Sequence, residues 1–149
     1  MGIDTSIDNE DMCLPNSATT HTILKNNKFF SNLVMQEINI STISGTTNII
    51  EGSGRANILL PGGMKLHIKN TLYSSNSYRN LLSFNDIRLN EFHIETNNEW
   101  NVKYFYITKL YLNKKEVLEK LPTFSYGLYC TYVNTVETHI LVNKKFYKQ

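Results

Sequence analysis

From Ile38 onward the sequence breaks into short apolar runs separated by turn residues: INISTI, SGTTN, IIEGSGRANILL, PGG and MKLHIKNTLYS follow one another. Strand-like runs recurring every roughly eight to twelve residues, with Gly and Pro between them, predict a small all-β barrel or sandwich. Pro61-Gly62-Gly63 is the strongest local signal, because proline presets φ for a turn and glycine tolerates positive φ. A second, more polar hairpin tip is predicted at Ser44, Gly45, Thr46 and Thr47. Gly52-Ser53-Gly54 lies between strands and lacks the Lys and Ser/Thr of a phosphate loop, so it reads as a strand bend or bulge.

The period changes over residues 79–90, RNLLSFNDIRLN, where Leu81, Leu82, Phe84, Ile87 and Leu89 suit one short helix. EFHIET and VKYFYIT, joined by NNEWN, then predict a closing hairpin, and the core is expected to end near Thr108. KKEVLEKL beyond it fits a helical turn or a strand. Residues 1–10 read as a disordered polar lead, 11–108 as the folded domain and 109–149 as a linker segment.

Composition supports the β reading, with nine tyrosines and seven phenylalanines among 149 residues. Mean hydropathy is −0.31 and no apolar run approaches the about 18 residues of a membrane span, so a soluble, cytosolic protein is expected. A net charge of +2 is too small to steer the whole molecule to nucleic acid, although Lys144, Lys145 and Lys148 form a basic end. Cys13 and Cys130 stand far apart and read as reduced thiols. His21, His67, His93 and His139 have no ligand spacing, so neither a metal nor a cofactor is expected.

One stretch has chemistry in its pattern: Asn16-Ser17-Ala18-Thr19-Thr20-His21, a turn of small polar residues after an apolar run. Further on stand Thr71-Leu72-Tyr73 and Asn80-Leu81-Leu82-Ser83. In this order and spacing, over about Asp11 to Thr108, the chain resembles the protease-like domain of copia-type retrotransposon Pol polyproteins, particularly those of plants. In that family the first motif is Asp-Ser-Gly or Asp-Ser-Ala followed by small residues and His. The resemblance implies a closed β-barrel of retropepsin type with one short helix. It further implies a homodimer acting on an extended peptide or polyprotein segment, a flap at Ser44 to Thr47, and a tail leading into the pre-integrase segment of a longer polyprotein.

The resemblance also exposes a departure. An aspartic protease works because two carboxylates share one proton, one acting as base on water and the other as acid towards the scissile carbonyl. Asn16 occupies the position of the family's catalytic Asp, and an amide stays neutral and cannot take the proton. Ala18 stands where most members have Gly, and Ser17 has no identified base and acid to make it a nucleophile. Asp11, Glu37, Glu51 and Asp86 lack the motif context of a substitute acid. The expectation is an inactive aspartic endopeptidase-like domain. An active endopeptidase and a non-catalytic barrel that binds peptides by strand addition are the alternatives.

Overall fold

A computed structural model describes residues 11–41, 47–125 and 128–136. The first part of the chain forms β1 (Met12–Asn16), β2 (Ile23–Leu24), a 3-10 turn (Asn27–Phe29), β3 (Phe30–Ser41), β4 (Thr47–Leu59) and β5 (Lys65–Tyr73). Then come β6 (Asn80–Ser83), α1 (Phe84–Leu89), β7 (His93–Glu99), β8 (Val102–Tyr111) and β9 (Lys114–Ser125). Three two-residue strands finish it: β10 (Leu128–Tyr129), β11 (Thr131–Tyr132) and β12 (Asn134–Thr135).

The fold is an all-β small barrel with one short helix. One curled sheet has the order β11-β1-β6-β2-β5-β4-β12, with β3 also paired to β4. Its end strands β11 and β12 are consecutive in the chain, separated by Val133 alone. The segment 131–135 therefore spans the gap between the two sheet ends, and Val133 N donates to Asp11 O at 2.9 Å between them. A four-stranded sheet, β10-β9-β8-β7, covers the barrel.

Local sequence accounts for these elements. The Pro61-Gly62-Gly63 turn joins β4 to β5, with Leu60 N donating to Met64 O at 2.8 Å and Gly63 at φ +98°. Lys65–Tyr73 alternates exposed Lys65, His67 and Lys69 with buried Leu66 and Ile68, the period-two pattern of a half-buried strand. Gly52 and Gly54 lie within β4, where β3 crosses closely. A Cβ on Gly54 would overlap Asn32 O, and one on Gly52 would stand 2.7 Å from Val34 O. The ladder to β5 breaks register between Gly54 and Ala56.

Two sequence expectations are corrected. Residues 79–90 are not one helix: Asn80–Ser83 is a strand parallel to β1, and only Phe84–Leu89 is helical. The sheet gains the ladder from Asn80–Ser83, and Ser83 Oγ accepts from Asn85 N at 3.1 Å as the N-cap that starts the helix. Nor does the core stop near Thr108. Leu121 of β9 and Val133 belong to the same buried cluster as Leu24, Ile58, Leu82 and Ile107. KKEVLEKL is a strand paired with β8, so residues 109 to 136 complete the fold. Phe84 of α1 and Tyr129 of β10 both pack on Phe105 of β8, at centroid distances of 5.2 and 5.4 Å. Among the described residues no helix is long and apolar enough to cross a membrane.

Candidate functional site

The turn that carries Asn16 is held by the strands on either side of it. β1 runs parallel to β6 with Asn16 in register with Ser83, so the strand delivers Asn16 to the point where α1 begins. Asn16 is half-buried, and Ser17 and Ala18 are exposed. Asn16 Oδ1 accepts a hydrogen bond from Ala18 N at 2.7 Å, closing an Asx-turn. Thr19 Oγ1 donates to His21 O at 2.8 Å, and Thr20 Oγ1 lies 2.9 Å from His21 Nδ1.

Beneath the turn lies a buried latch. Asp86 Oδ2 accepts from Thr22 N at 3.0 Å and from Thr22 Oγ1 at 2.7 Å. Thr22 Oγ1 in turn accepts from Ser83 N at 3.1 Å, and Ser83 Oγ donates to Thr19 O at the same distance. The second half of the turn, at Thr19 and Thr22, is thus tied to Asp86 and to Ser83, the N-cap of α1. Thr22 and Ser83 are fully buried, so the three bonds that join Thr22 to Asp86 and Ser83 are shielded from competing water, while the bond to Thr19 O is partly shielded. The arrangement leaves Ser17 and Ala18 exposed, with Asn16 half-buried at the end of β1.

Three of the four other acids, Asp11, Glu51 and Asp86, are engaged in bonds of their own. Asp11 pairs with Lys28 at 3.2 Å, and Glu51 Oε2 accepts from Ser75 N and Ser75 Oγ, each at 2.7 Å. Glu37 lies on the exposed part of β3. Asp86 is the acid nearest in the bonding network to the turn, but its Oδ2 is bound to Thr22 and the residue is buried. His67 and His93 lie on β5 and β7, in different sheets, and His139 lies outside the described residues. Of the expected flap, Ser44, Gly45 and Thr46 lie outside the described residues, and Thr47 opens β4 in register with Ser41.

Two features escape sequence reading. The Thr22–Asp86 latch joins positions 64 residues apart, and neither residue has a motif to announce it. Glu119 is the second: it sits 4% exposed in β9, and its carboxylate accepts from Gly62 N at 2.8 Å and Met64 N at 3.1 Å. Burial raises its pKa and the two backbone bonds lower it, with burial the larger effect. Glu119 thereby ties β9 to the β4–β5 turn. It lines a surface cavity of about 350 Å³ together with Pro61, Pro122, Cys130 and Tyr132. Cys13 and Cys130 are both buried and neither forms a disulfide; burial, with Cys130 nearby, pushes the Cys13 thiol up.

Comparison with protein-family models, curated proteins and solved structures finds no match to this chain.

Proposed function

We propose that this chain carries the retropepsin-like barrel of a copia-type Pol polyprotein in which Asn16 has replaced the catalytic acid, leaving a protease-like domain without peptidase activity. The observation that carries the reading is the placing of Asn16. It ends β1 in register with Ser83, and the turn that follows it is tied at Thr19 and Thr22 to the residues that begin α1. Such bracing suits a turn that must hold two groups against a symmetry mate and a peptide backbone within a few tenths of an ångström. The ordered motifs of residues 16–21, 71–73 and 80–83 add sequence support.

The chemistry follows from the side chain. In a homodimer of this type each protomer supplies one acid, and here each supplies an amide. The amide of Asn16 accepts from Ala18 N through Oδ1, and its NH₂ is a donor without a titratable proton. No pH creates the shared-proton pair that activates water. What remains is a pair of outward turns and a cleft between protomers fitted to an extended polyprotein segment, which is held without being cut.

Asn16→Asp tests this directly. An aspartate is nearly isosteric and keeps the acceptor for Ala18 N, so the turn is retained and a dyad becomes available. Both proteins are assayed on a peptide library from strongly acid to mildly alkaline pH. The expected result is silence from the wild type throughout, and cleavage by Asn16→Asp that peaks at mildly acidic pH and vanishes on dilution below the dimer's dissociation constant. Cleavage by the wild type, with Asn confirmed at position 16 by mass spectrometry, overturns the reading.

A further inference from the structure

β3 is the long strand at the margin of the barrel. Among the described residues it pairs with β4 alone, so its outer edge presents a row of unpaired N–H and C=O groups. Val34 and Met35, consecutive and thus pointing to opposite faces, are 60% and 61% exposed. Around Val34 and Met35 the strand is therefore open to solvent on both faces and, among the described residues, along one edge. Its sequence, FSNLVMQEINIS, contains no proline and no lysine, and its one charge is Glu37. Proline, lysine and dense charge are devices by which edge strands discourage pairing, and of these β3 has only Glu37; its two register breaks, which flank Asn32–Met35, are a further such device.

The chemistry of the exposed segment identifies its partner. Residues 31–37, Ser-Asn-Leu-Val-Met-Gln-Glu, read polar, polar, apolar, apolar, apolar, polar, polar in either direction. An antiparallel pairing with a second copy, centred on Val34, sets Ser31 against Glu37, Asn32 against Gln36, Leu33 against Met35 and Val34 against its own copy. Every cross-strand pair then matches in polarity. Moving the centre by one residue destroys the match: centring on Leu33 sets Asn32 against Val34, and centring on Met35 sets Leu33 against Glu37. The pairing of Asn32–Met35 with β4 is regular and is bracketed by register breaks, between Phe30 and Asn32 and between Met35 and Ile38, so the centre of the new ladder lies on regular strand and its outer pairs, through Ser31, Gln36 and Glu37, lie at the breaks.

β7 is the other long strand at a sheet end; its Glu95 and Glu99 are paired with Lys115 and Lys120 of β9, and its sequence HIETNNE has no three-residue apolar centre to match that of β3. The Val34-centred pairing keeps the two Glu37 residues about 20 Å apart, six residues at about 3.3 Å each. We propose that β3 is a self-association edge, and that two copies of this chain join antiparallel through residues 31–37 on a two-fold axis at Val34. This contact is separate from the Asn16 turn and does not depend on the function assigned to that turn.

Sedimentation across micromolar to near-millimolar concentrations, with two substitutions of opposite expected sign, tests the proposal. Val34→Lys places two ammonium groups against each other on the axis and weakens the dimer by roughly tenfold or more. Ser31→Lys places a lysine opposite Glu37 of the other copy at two equivalent positions and tightens it roughly fivefold. In a third arm, Val34→Cys treated with diamide gives a disulfide-linked dimer and Glu37→Cys does not, because only position 34 faces its own copy. A wild-type chain that is monomeric throughout overturns the proposal. A dimer unaffected by Val34→Lys, or cross-linking as efficient at 37 as at 34, overturns it equally and directs attention to the Asn16 turn or another surface.

Discussion

Glu119 places a carboxyl where water hardly reaches, and the two backbone N–H groups it accepts from only partly replace its hydration. Burial raises its pKa above the ordinary carboxylate value, and that direction fixes the sign of a pH effect. In the unfolded chain the group titrates near its usual value of about 4.3. Between that value and the raised one, the native state binds the proton more tightly. The resulting stabilisation is fully present below the unfolded value and is lost as pH rises through the folded one. Glu119→Gln removes the titration but keeps one acceptor for the Gly62 or Met64 N–H. Denaturant unfolding at a series of pH values is expected to show the stability of wild type relative to Glu119→Gln falling as pH rises out of the carboxylate range. A constant difference across that range would contradict this assignment.

At the scale of elements, the glycines of β4 and of the β4–β5 turn serve different purposes, and substitution separates them. Gly54 is needed for space: a Cβ there overlaps the backbone oxygen of Asn32, so β3 must move away from β4. Gly63 is needed for conformation: its φ is +98° and a Cβ there meets nothing within 4 Å. Gly63→Ala is expected to cost about 1 kcal/mol from the left-handed backbone. Gly54→Ala is expected to cost about 3 kcal/mol, because the clash is with main chain and no side-chain rotation relieves it. Thermal or urea unfolding of the two variants checks the order. The glycine pattern was legible as turn and bend in the sequence, but which of the two needs each glycine meets depends on β3, more than a dozen residues away in the chain.

For the whole molecule, the question is where the cooperative unit ends. Ile107, Leu121 and Val133 share one buried cluster, and the segment 131–135 pairs with β1 at one end and β4 at the other. Removing everything after Thr108 takes away the end of β8, its partner β9 and the link across the sheet ends together. Such a truncated chain is expected to lack near-UV circular dichroism and dispersed amide resonances. Within the full chain, Leu121→Ala is expected to cost about 2–5 kcal/mol, the ordinary range for a large core side chain, and to lower the global unfolding midpoint rather than fray one end. A folded, cooperative 11–108 fragment would show instead that β9 to β12 are dispensable.

The sequence by itself determined the β class, the Pro61-Gly62-Gly63 hairpin, the β7–β8 hairpin and the amide at position 16, because each is written in neighbouring residues: a period of two, a turn dipeptide, a side-chain identity. It was ambiguous over residues 79–90, where Leu81 and Leu82 fit a helical face as well as a strand; β1 and β2, lying on either side, make Asn80–Ser83 a strand. It placed the end of the core too early, because β10, β11 and β12 have two residues each and no period can be read from two residues. Their strand character comes from the partners they meet, β9, β1 and β4. The latch of Thr22, Ser83 and Asp86 is likewise a product of folding alone. A hydroxyl or carboxylate becomes a fixed partner only once burial removes water as the competing one, and burial is settled by the packing of the whole chain.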